Sequence, residues 1–356
     1  MKASRSRALR LCAPLVVCSL VLLGGCTDSS EKETKKDAPT SRPTAAPTTA
    51  GDLQNAYQRV IKDVLSSVVQ IQAGSSLGSG VVYDDKGHIV TNAHVVGNEK
   101  TFRVTTANSE NALTASLVSS YPGQDLAVIK LDKVPAGLKA AVFADSPKVQ
   151  VGQIVLAMGS PLGLSSSVTQ GIVSATGRTV TEGSEDGRTG ATIANMVQTS
   201  AAINPGNSGG ALVNLDAQVI GIPTLAALDP GLGGSAAPGI GFAIPASTVK
   251  GIADQIVEKG KVTDSGRAAL DITARTVVNG NYQPAGVAVV DVKDGGAADQ
   301  AGLSAGDIII RLGDTDITTT TSLAEALAND KPGQKTTVTY TRNGSRKTVD
   351  VTLGEQ

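Results

Sequence analysis

The chain reads as mainly β: a sandwich or barrel of short strands, followed by a smaller module that mixes strands with helices. Three observations carry this. Between residues 67 and 223 the apolar runs are short, rich in Val and Ile, and bounded by Gly, Asp or Pro. Helical periodicity brackets that region, from Asp52 to about Asp63 and from Ala246 to Lys261. Beyond residue 264 the texture changes, with short helical segments set between strands. Many close-spaced strands with few helices argue for a sandwich or barrel.

The N-terminus is a targeting segment. Lys2, Arg5, Arg7 and Arg10 form a basic head ahead of the apolar run Leu11 to Leu23, which is short for a membrane span and suits a signal-peptide core. The run ends in Leu23-Gly24-Gly25-Cys26, which resembles the bacterial lipoprotein box. That resemblance implies lipidation of Cys26, anchorage in a bacterial cell membrane and an extracytoplasmic position. The alternative is an ordinary secretory signal with an incidental cysteine. The placing of Cys26 at the end of the apolar run favours the lipoprotein box. Loss of residues 1–25 removes four positive charges and moves the net charge from −1 to −5. It also removes Cys12 and Cys18, leaving no disulfide and no cysteine-based metal site. Residues 26–51 are Ser, Thr, Pro, Ala and charges after Cys26, too poor in large apolar side chains to offset ordering entropy, and so a tether.

In the first helical stretch Leu53, Ala56, Tyr57, Val60 and Ile61 share one stripe. Strands are expected over Ser67–Ala73, Gly80–Tyr83, His88–Thr91, Leu126–Leu131, Gln153–Met158 and Val219–Pro223, with Asp84-Asp85-Lys86-Gly87 as a hairpin turn. In the C-terminal module, strands are expected over Gly286–Val292 and Asp307–Leu312, and helices over Ala297–Ala301 and Ser322–Ala328. A final hairpin joins Thr336–Thr341 to Lys347–Thr352 across Asn343-Gly344, a preferred two-residue turn pair.

Near-balanced charge argues against a nucleic-acid partner, and the ordinary apolar content against wholesale disorder. The chain lacks Trp and is poor in other aromatics, so its cores rest on Val, Ile, Leu and Ala. No cluster of metal ligands and no cofactor motif is evident.

Chemistry concentrates in three segments: Thr91-Asn92-Ala93-His94-Val95, Asp125-Leu126-Ala127-Val128-Ile129 and Gly206-Asn207-Ser208-Gly209-Gly210. A serine hydroxyl attacks a carbonyl only when a base takes its proton and backbone N–H groups hold the oxyanion. His94 supplies the base, Asp125 the carboxylate that fixes its tautomer, and Ser208 the nucleophile. The amides of Gly206 and Ser208, helped by Asn207, form the oxyanion hole. The glycines keep side chains clear of the backbone geometry and of the substrate. His88, inside a strand, reads as a plain surface residue. The order His, Asp, Ser is that of chymotrypsin-like enzymes and differs from those of subtilisin and the α/β-hydrolases.

These three segments and Gly239-Ile240-Gly241-Phe242-Ala243-Ile244-Pro245 together resemble the HtrA/Deg family of serine proteases. The C-terminal module resembles a PDZ domain, through Ala301-Gly302-Leu303 and Gly306-Asp307-Ile308-Ile309. The resemblance covers about residues 53–354. It implies a chymotrypsin-like double β-barrel over residues 52–262, with His94 and Asp125 in one barrel and Ser208 in the other, then a small α+β PDZ domain over 265–356. It also implies homotrimers packed partly through the N-terminal segment of the protease domain, and substrates that are unfolded or damaged polypeptides. Trypsin-like enzymes carry Asp where Asn207 stands and pair it with a new amino terminus, so this chain needs no such activating cleavage. The position six residues before Ser208, which sets specificity in trypsin-like enzymes, is Ala202. With Ile203, Gly239, Ile240 and Gly241 it makes an apolar pocket suited to small or branched aliphatic side chains. The PDZ loop that cradles a C-terminal carboxylate corresponds to Ala269-Leu270-Asp271-Ile272. Asp271 replaces the usual Gly there, and its carboxylate is expected to repel an incoming C-terminal peptide. Three activities fit: a quality-control endopeptidase, a chaperone-like binding protein, and a signalling protease that trims one envelope protein. The intact Ser-His-Asp set favours the two proteases.

Overall fold

The computed structural model describes residues 50–106, 109–160, 167–181, 191–204, 206–229 and 235–356. The expectations for residues 1–25, for Cys26 and for the tether as far as residue 49 lie outside the described residues. Residues 50 and 51 belong to the first helix, α1 (Ala50–Leu65), which begins two residues ahead of the helical stretch expected from Asp52. Its Val60 and Val64 are buried.

Six strands follow: β1 (Val68–Ala73), β2 (Ser76–Val82), β3 (His88–Thr91), β4 (Thr101–Thr106), β5 (Ser109–Tyr121) and β6 (Leu126–Leu131). They close into a barrel in the order β1-β2-β3-β6-β5-β4, with the four-residue helix α2 (Ala93–Val96) turning off the end of β3. A second set comprises β7 (Val142–Phe143), β8 (Ile154–Gly159), β9 (Ser167–Thr181), β10 (Thr192–Thr199), β11 (Ala211–Val213), β12 (Gln218–Asp229) and β13 (Ser235–Pro245). The order is β11-β8-β9-β10-β13-β12-β7, and an added β11–β12 pairing joins the ends of this run into a ring with β7 outside it. Helix α3 (Ala246–Lys259) packs back on the barrels and ends on Gly260 in the left-handed conformation.

The strands between the barrels are buried on both faces, as continuous apolar runs allow. Along β6, Leu126 and Val128 face a core shared by the two barrels, α1 and α3, while Ala127 and Ile129 fill the first barrel. Along β8, Leu156 and Met158 join the shared core, while Val155 and Ala157 fill the second barrel. One alternating pattern thus builds two cores at once.

The remaining elements are β14 (Ala268–Ala269), β15 (Ile272–Val278), β16 (Pro284–Val292), α4 (Ala297–Gln300), β17 (Ile308–Leu312), β18 (Thr315–Asp316), α5 (Thr320–Ala328), β19 (Lys335–Arg342), β20 (Ser345–Thr352) and β21 (Gly354–Glu355). The main sheet runs β15-β16-β17-β19-β20, and β14 pairs with β21. The β19–β20 turn has φ of 52° at Asn343 and 78° at Gly344, the conformation that the Asn-Gly pair favours.

Candidate active site

Asp125 ends a 3-10 turn (Pro122–Gln124) in the left-handed conformation, with φ of 50°. Aspartate tolerates this backbone better than most side chains do. The Asn92 side-chain amide donates to the Asp125 carbonyl at 2.9 Å and steadies that turn. The Asp125 side chain is fully buried, and its carboxylate accepts from the His94 backbone N–H at 2.9 Å and pairs with His94 Nδ1 at 2.8 Å. It also accepts from Thr224 Oγ1 on β12. A carboxylate with no water must be satisfied by such donors. His94 stands on α2, its ring partly exposed at the mouth between the barrels.

Ser208 lies in the loop between β10 and β11 of the second barrel. Its Oγ donates to the Thr224 carbonyl at 3.2 Å. Thr224 therefore touches both ends of the arrangement, holding Asp125 through its hydroxyl and Ser208 through its carbonyl. Sequence analysis missed it, because the strand expected over Val219–Pro223 stops one residue short of it. The usable signal was a hydroxyl residue continuing an otherwise apolar strand.

In the serine loop, the Asn207 N–H donates to Asn204 O at 3.0 Å, with Gly206 at φ 98°. The Asn207 amide is thereby committed to the turn, which corrects its expected help at the oxyanion position. Among the described residues the amides of Gly206 and Ser208 meet no backbone acceptor. The buried Asn207 side chain donates to Ala202 O at 3.4 Å, a neutral contact that makes no ion pair. The glycines after the serine answer to backbone geometry and to packing, with φ of 79° at Gly209. A Cβ on Gly209 would lie 2.2 Å from Ser79 O, and one on Gly210 2.2 Å from Met158 O.

Of the pocket residues, Ile203 is buried against Gly241, where a Cβ would come within 2.4 Å of Ile203 Cγ1. Ala202 is exposed, and its carbonyl accepts from Thr169 Oγ1 at 2.8 Å. On β13 Gly241 is buried while its neighbour Ile240 is 38% exposed, as successive strand residues point to opposite faces, and Gly239 ahead of them is exposed with φ of 74°. Ile240 therefore does not share a wall with Gly241, which corrects its place in the expected pocket.

These geometries agree with independent similarity. Residues 78–222 match a trypsin-like peptidase domain and residues 261–353 a PDZ domain. The chain is 39% identical over 297 residues to the serine protease Do-like HtrA of Lactococcus lactis, covering 79% of this chain and 71% of that protein. The chain belongs to the HtrA family of serine proteases. It is a serine endopeptidase, mainly β, with a trypsin-like protease domain and a PDZ domain. The serine protease PepD of Mycobacterium tuberculosis is 37% identical over 315 residues, covering 84% of this chain and 66% of PepD. Among solved structures, a serine endoprotease from Yersinia pestis is 32% identical with a TM-score of 0.58, covering 88% of this chain and all of that one. The HtrA-type protease AlgW, solved with a decapeptide, is 28% identical with a TM-score of 0.59, covering 84% of this chain and 98% of that one.

The loop expected to cradle a carboxylate, Ala269 to Ile272, has its own geometry. Asp271 takes φ of 56°, a conformation that glycine adopts freely. Its carboxylate is turned onto the Ala297 N–H and Lys293 Nζ, each at 3.3 Å, and is largely buried. The charge expected to repel a ligand is thus already partnered. Beside this loop a cavity of about 630 Å³ is lined by Leu270, Ile272, Leu323 and Leu327 of the PDZ domain and by Pro122 and Gly123 of the protease domain. Arg267 reaches across at this point and donates to Gly123 O at 2.5 Å, with burial lowering its pKa. Among the described residues no helix is long and apolar enough to cross a membrane.

Proposed function

We propose that this endopeptidase cuts unfolded or damaged extracytoplasmic polypeptides through an acyl-enzyme formed on Ser208. Ser208 Oγ attacks the scissile carbonyl while His94 takes its proton. The amides of Gly206 and Ser208 hold the oxyanion, and His94 returns the proton to the leaving amine. Water then repeats the sequence and frees the acid. Asp125 holds the His94 ring through Nδ1 and stabilises the imidazolium. One observation carries this reading: the fully buried Asp125 carboxylate binds His94 twice and Thr224 once, and Thr224 in turn receives the Ser208 hydroxyl. Residues from two barrels form one connected chain.

The apolar contact of Ile203 with Gly241, with Ala202 in place of a charge, supports cleavage after small or branched aliphatic residues. The name of a Brucella suis relative, 36% identical and called a probable periplasmic serine endoprotease DegP-like, supports an envelope location. Lipidation at Cys26 and assembly into homotrimers complete the proposal, with domain limits of 52–262 and 265–356. The deciding experiment is digestion of unfolded casein beside a Ser208→Ala control. Digestion is expected with the native chain and not with the variant, and equal digestion by both refutes the assignment.

A second reading keeps the same chemistry and assigns it a regulatory task. The cavity beside Asp271 supports it, because one wall is Pro122–Gly123, just ahead of Asp125. There the PDZ domain takes C-terminal peptides and the protease trims one specific protein. A peptide-dependent rate on a folded substrate, with casein cut slowly, favours this over general quality control.

A further inference from the structure

Strand β2 is paired with β1 from Ser76 to Val81, but β3 pairs with it only at Val81 and Val82. β3 is four residues long and leaves the sheet for α2, so the other edge of β2 stands unpaired at Ser79. Buried backbone groups need partners, and Ser79 is fully buried. Its C=O accepts from Thr91 Oγ1 at 2.6 Å within the same barrel. Every other polar group of Ser79 goes to the second barrel. The N–H donates to Ser208 O at 2.9 Å, and the hydroxyl donates to Gly206 O at 2.5 Å. The same hydroxyl accepts from the Ser160 N–H at 2.8 Å, which fixes its direction.

The two carbonyls that Ser79 grips belong to Gly206 and Ser208, the residues whose amides hold the oxyanion in the proposed mechanism. Gly206 has φ of 98° and no Cβ, so its own sterics leave several backbone conformations open. A hydrogen bond must select among them. The bond from Ser79 fixes the peptide that joins Gly206 to Asn207, and the Ser208 C=O is fixed beyond it. The intervening carbonyl, Asn207 O, accepts from the Gly210 N–H at 2.9 Å. Three successive carbonyls are thereby held, two of them by one residue of the opposite barrel.

We propose that Ser79 is a positioning residue for the oxyanion site: its hydroxyl holds the Gly206 carbonyl so that the Gly206 and Ser208 amides converge on the developing oxyanion. The inference rests on the reading of Ser208 as nucleophile. Ser79 is fully buried, so its effect passes through backbone orientation.

The test uses the full chain carrying Ser79→Ala, with Ser79→Thr as the variant that restores a hydroxyl. Losing an oxyanion donor outright costs ~10²–10³ in kcat, so loosening two donors is expected to cost about 10- to 100-fold. KM should stay within about threefold, because uniform binding is untouched. Affinity for a peptide aldehyde should fall in parallel with kcat. Its hemiacetal forms by addition of Ser208 O–H across the aldehyde C=O and places an oxygen at the oxyanion position. Affinity for the same peptide ending in an amide, which forms no adduct, should not fall. Partial recovery of kcat by Ser79→Thr supports the role.

A native kcat in Ser79→Ala overturns the proposal, as does an equal loss of aldehyde and amide affinity, which marks general loosening. If the alanine variant does not fold, Ser79→Cys, of similar size but a weaker donor, is read by the same affinity ratio. Activity retained by Ser208→Ala would instead bring down the nucleophile assignment itself, so the two failures are distinguishable.

Discussion

The first barrel holds two His–Asp pairs, six residues apart along the chain at the histidine, and they invite comparison. His88 Nδ1 lies 2.6 Å from Asp84 Oδ2, and His94 Nδ1 lies 2.8 Å from Asp125 Oδ2. The bond is the same in kind, and both rings are at least partly withdrawn from water. Their surroundings differ. Asp84 sits in a hairpin turn, caps the Lys86 and His88 amides at 3.0 Å each, and stays partly exposed. Everything it binds lies within four residues. Asp125 is sealed from solvent and receives Thr224 from a strand 99 residues away. A His–Asp pair becomes a candidate for proton transfer only where a second barrel brings a hydroxyl nucleophile and a donor for the carboxylate. The local pair closes a turn.

The comparison is sharpest when each histidine is removed. His94→Ala is expected to lower kcat by about 10⁴–10⁶, since members of such a set act as a unit. His88→Ala should leave kcat within a few-fold of native and lower stability by about 1–3 kcal/mol, the cost of a buried partner lost. Steady-state kinetics and thermal unfolding on both variants give the four values needed. Comparable activity loss in the two would erase the distinction.

Thr224→Val tests the feature that separates the pairs. It removes the third donor to Asp125 and keeps the Thr224 carbonyl that receives Ser208. A hydrogen bond to a buried carboxylate is worth about 1.5–3 kcal/mol, so kcat should fall about 10- to 100-fold with KM little changed. A native kcat would show that the histidine bonds alone orient Asp125.

How much of this could be read in the sequence depended on how local each feature is. Leu126 to Leu131 and Ile154 to Met158 are apolar at every inner position and announce themselves as strands. β9 and β10 carry Thr, Gln, Asn and Gly among their apolar residues, because one face meets solvent or loops, and they were not foreseen. β15 was hidden for the same reason: four of its seven residues are exposed. His94, Asp125 and Ser208 were legible because small residues and an apolar strand surround them. Thr224 and Ser79 were not, since their roles come from contacts 99 and 127 residues away. His88, expected at the surface, is buried, with 6% of it exposed. Here the signal was local, an aspartate four residues earlier across a turn, and it was overlooked. Asp271 was legible as a glycine position, but its engagement by Lys293 and Ala297 belongs to tertiary structure.

The smallest expected effect separates the two pairs by pH. Burial alone would raise the Asp84 carboxyl, but hydrogen bonds from the His88 ring and from the His88 and Lys86 amides outweigh it and hold the carboxyl below its ordinary range. A group whose folded pKa is depressed contributes stability that is present above its unfolded value, about 3.9 for Asp. That contribution is lost as pH falls through the folded value. Asp84→Asn keeps an oxygen for the two amides and removes the titration. Urea unfolding at about pH 6 and pH 3 should therefore show a smaller acid loss in the variant. The difference is on the order of 1 kcal/mol or less, because the carboxylate keeps some access to water. Catalysis should also fail on acidification, since a protonated His94 accepts nothing from Ser208. Parallel acid curves for native and Asp84→Asn would show that the local pair adds nothing through its charge. A change in the activity profile of Asp84→Asn would show that the two pairs communicate after all.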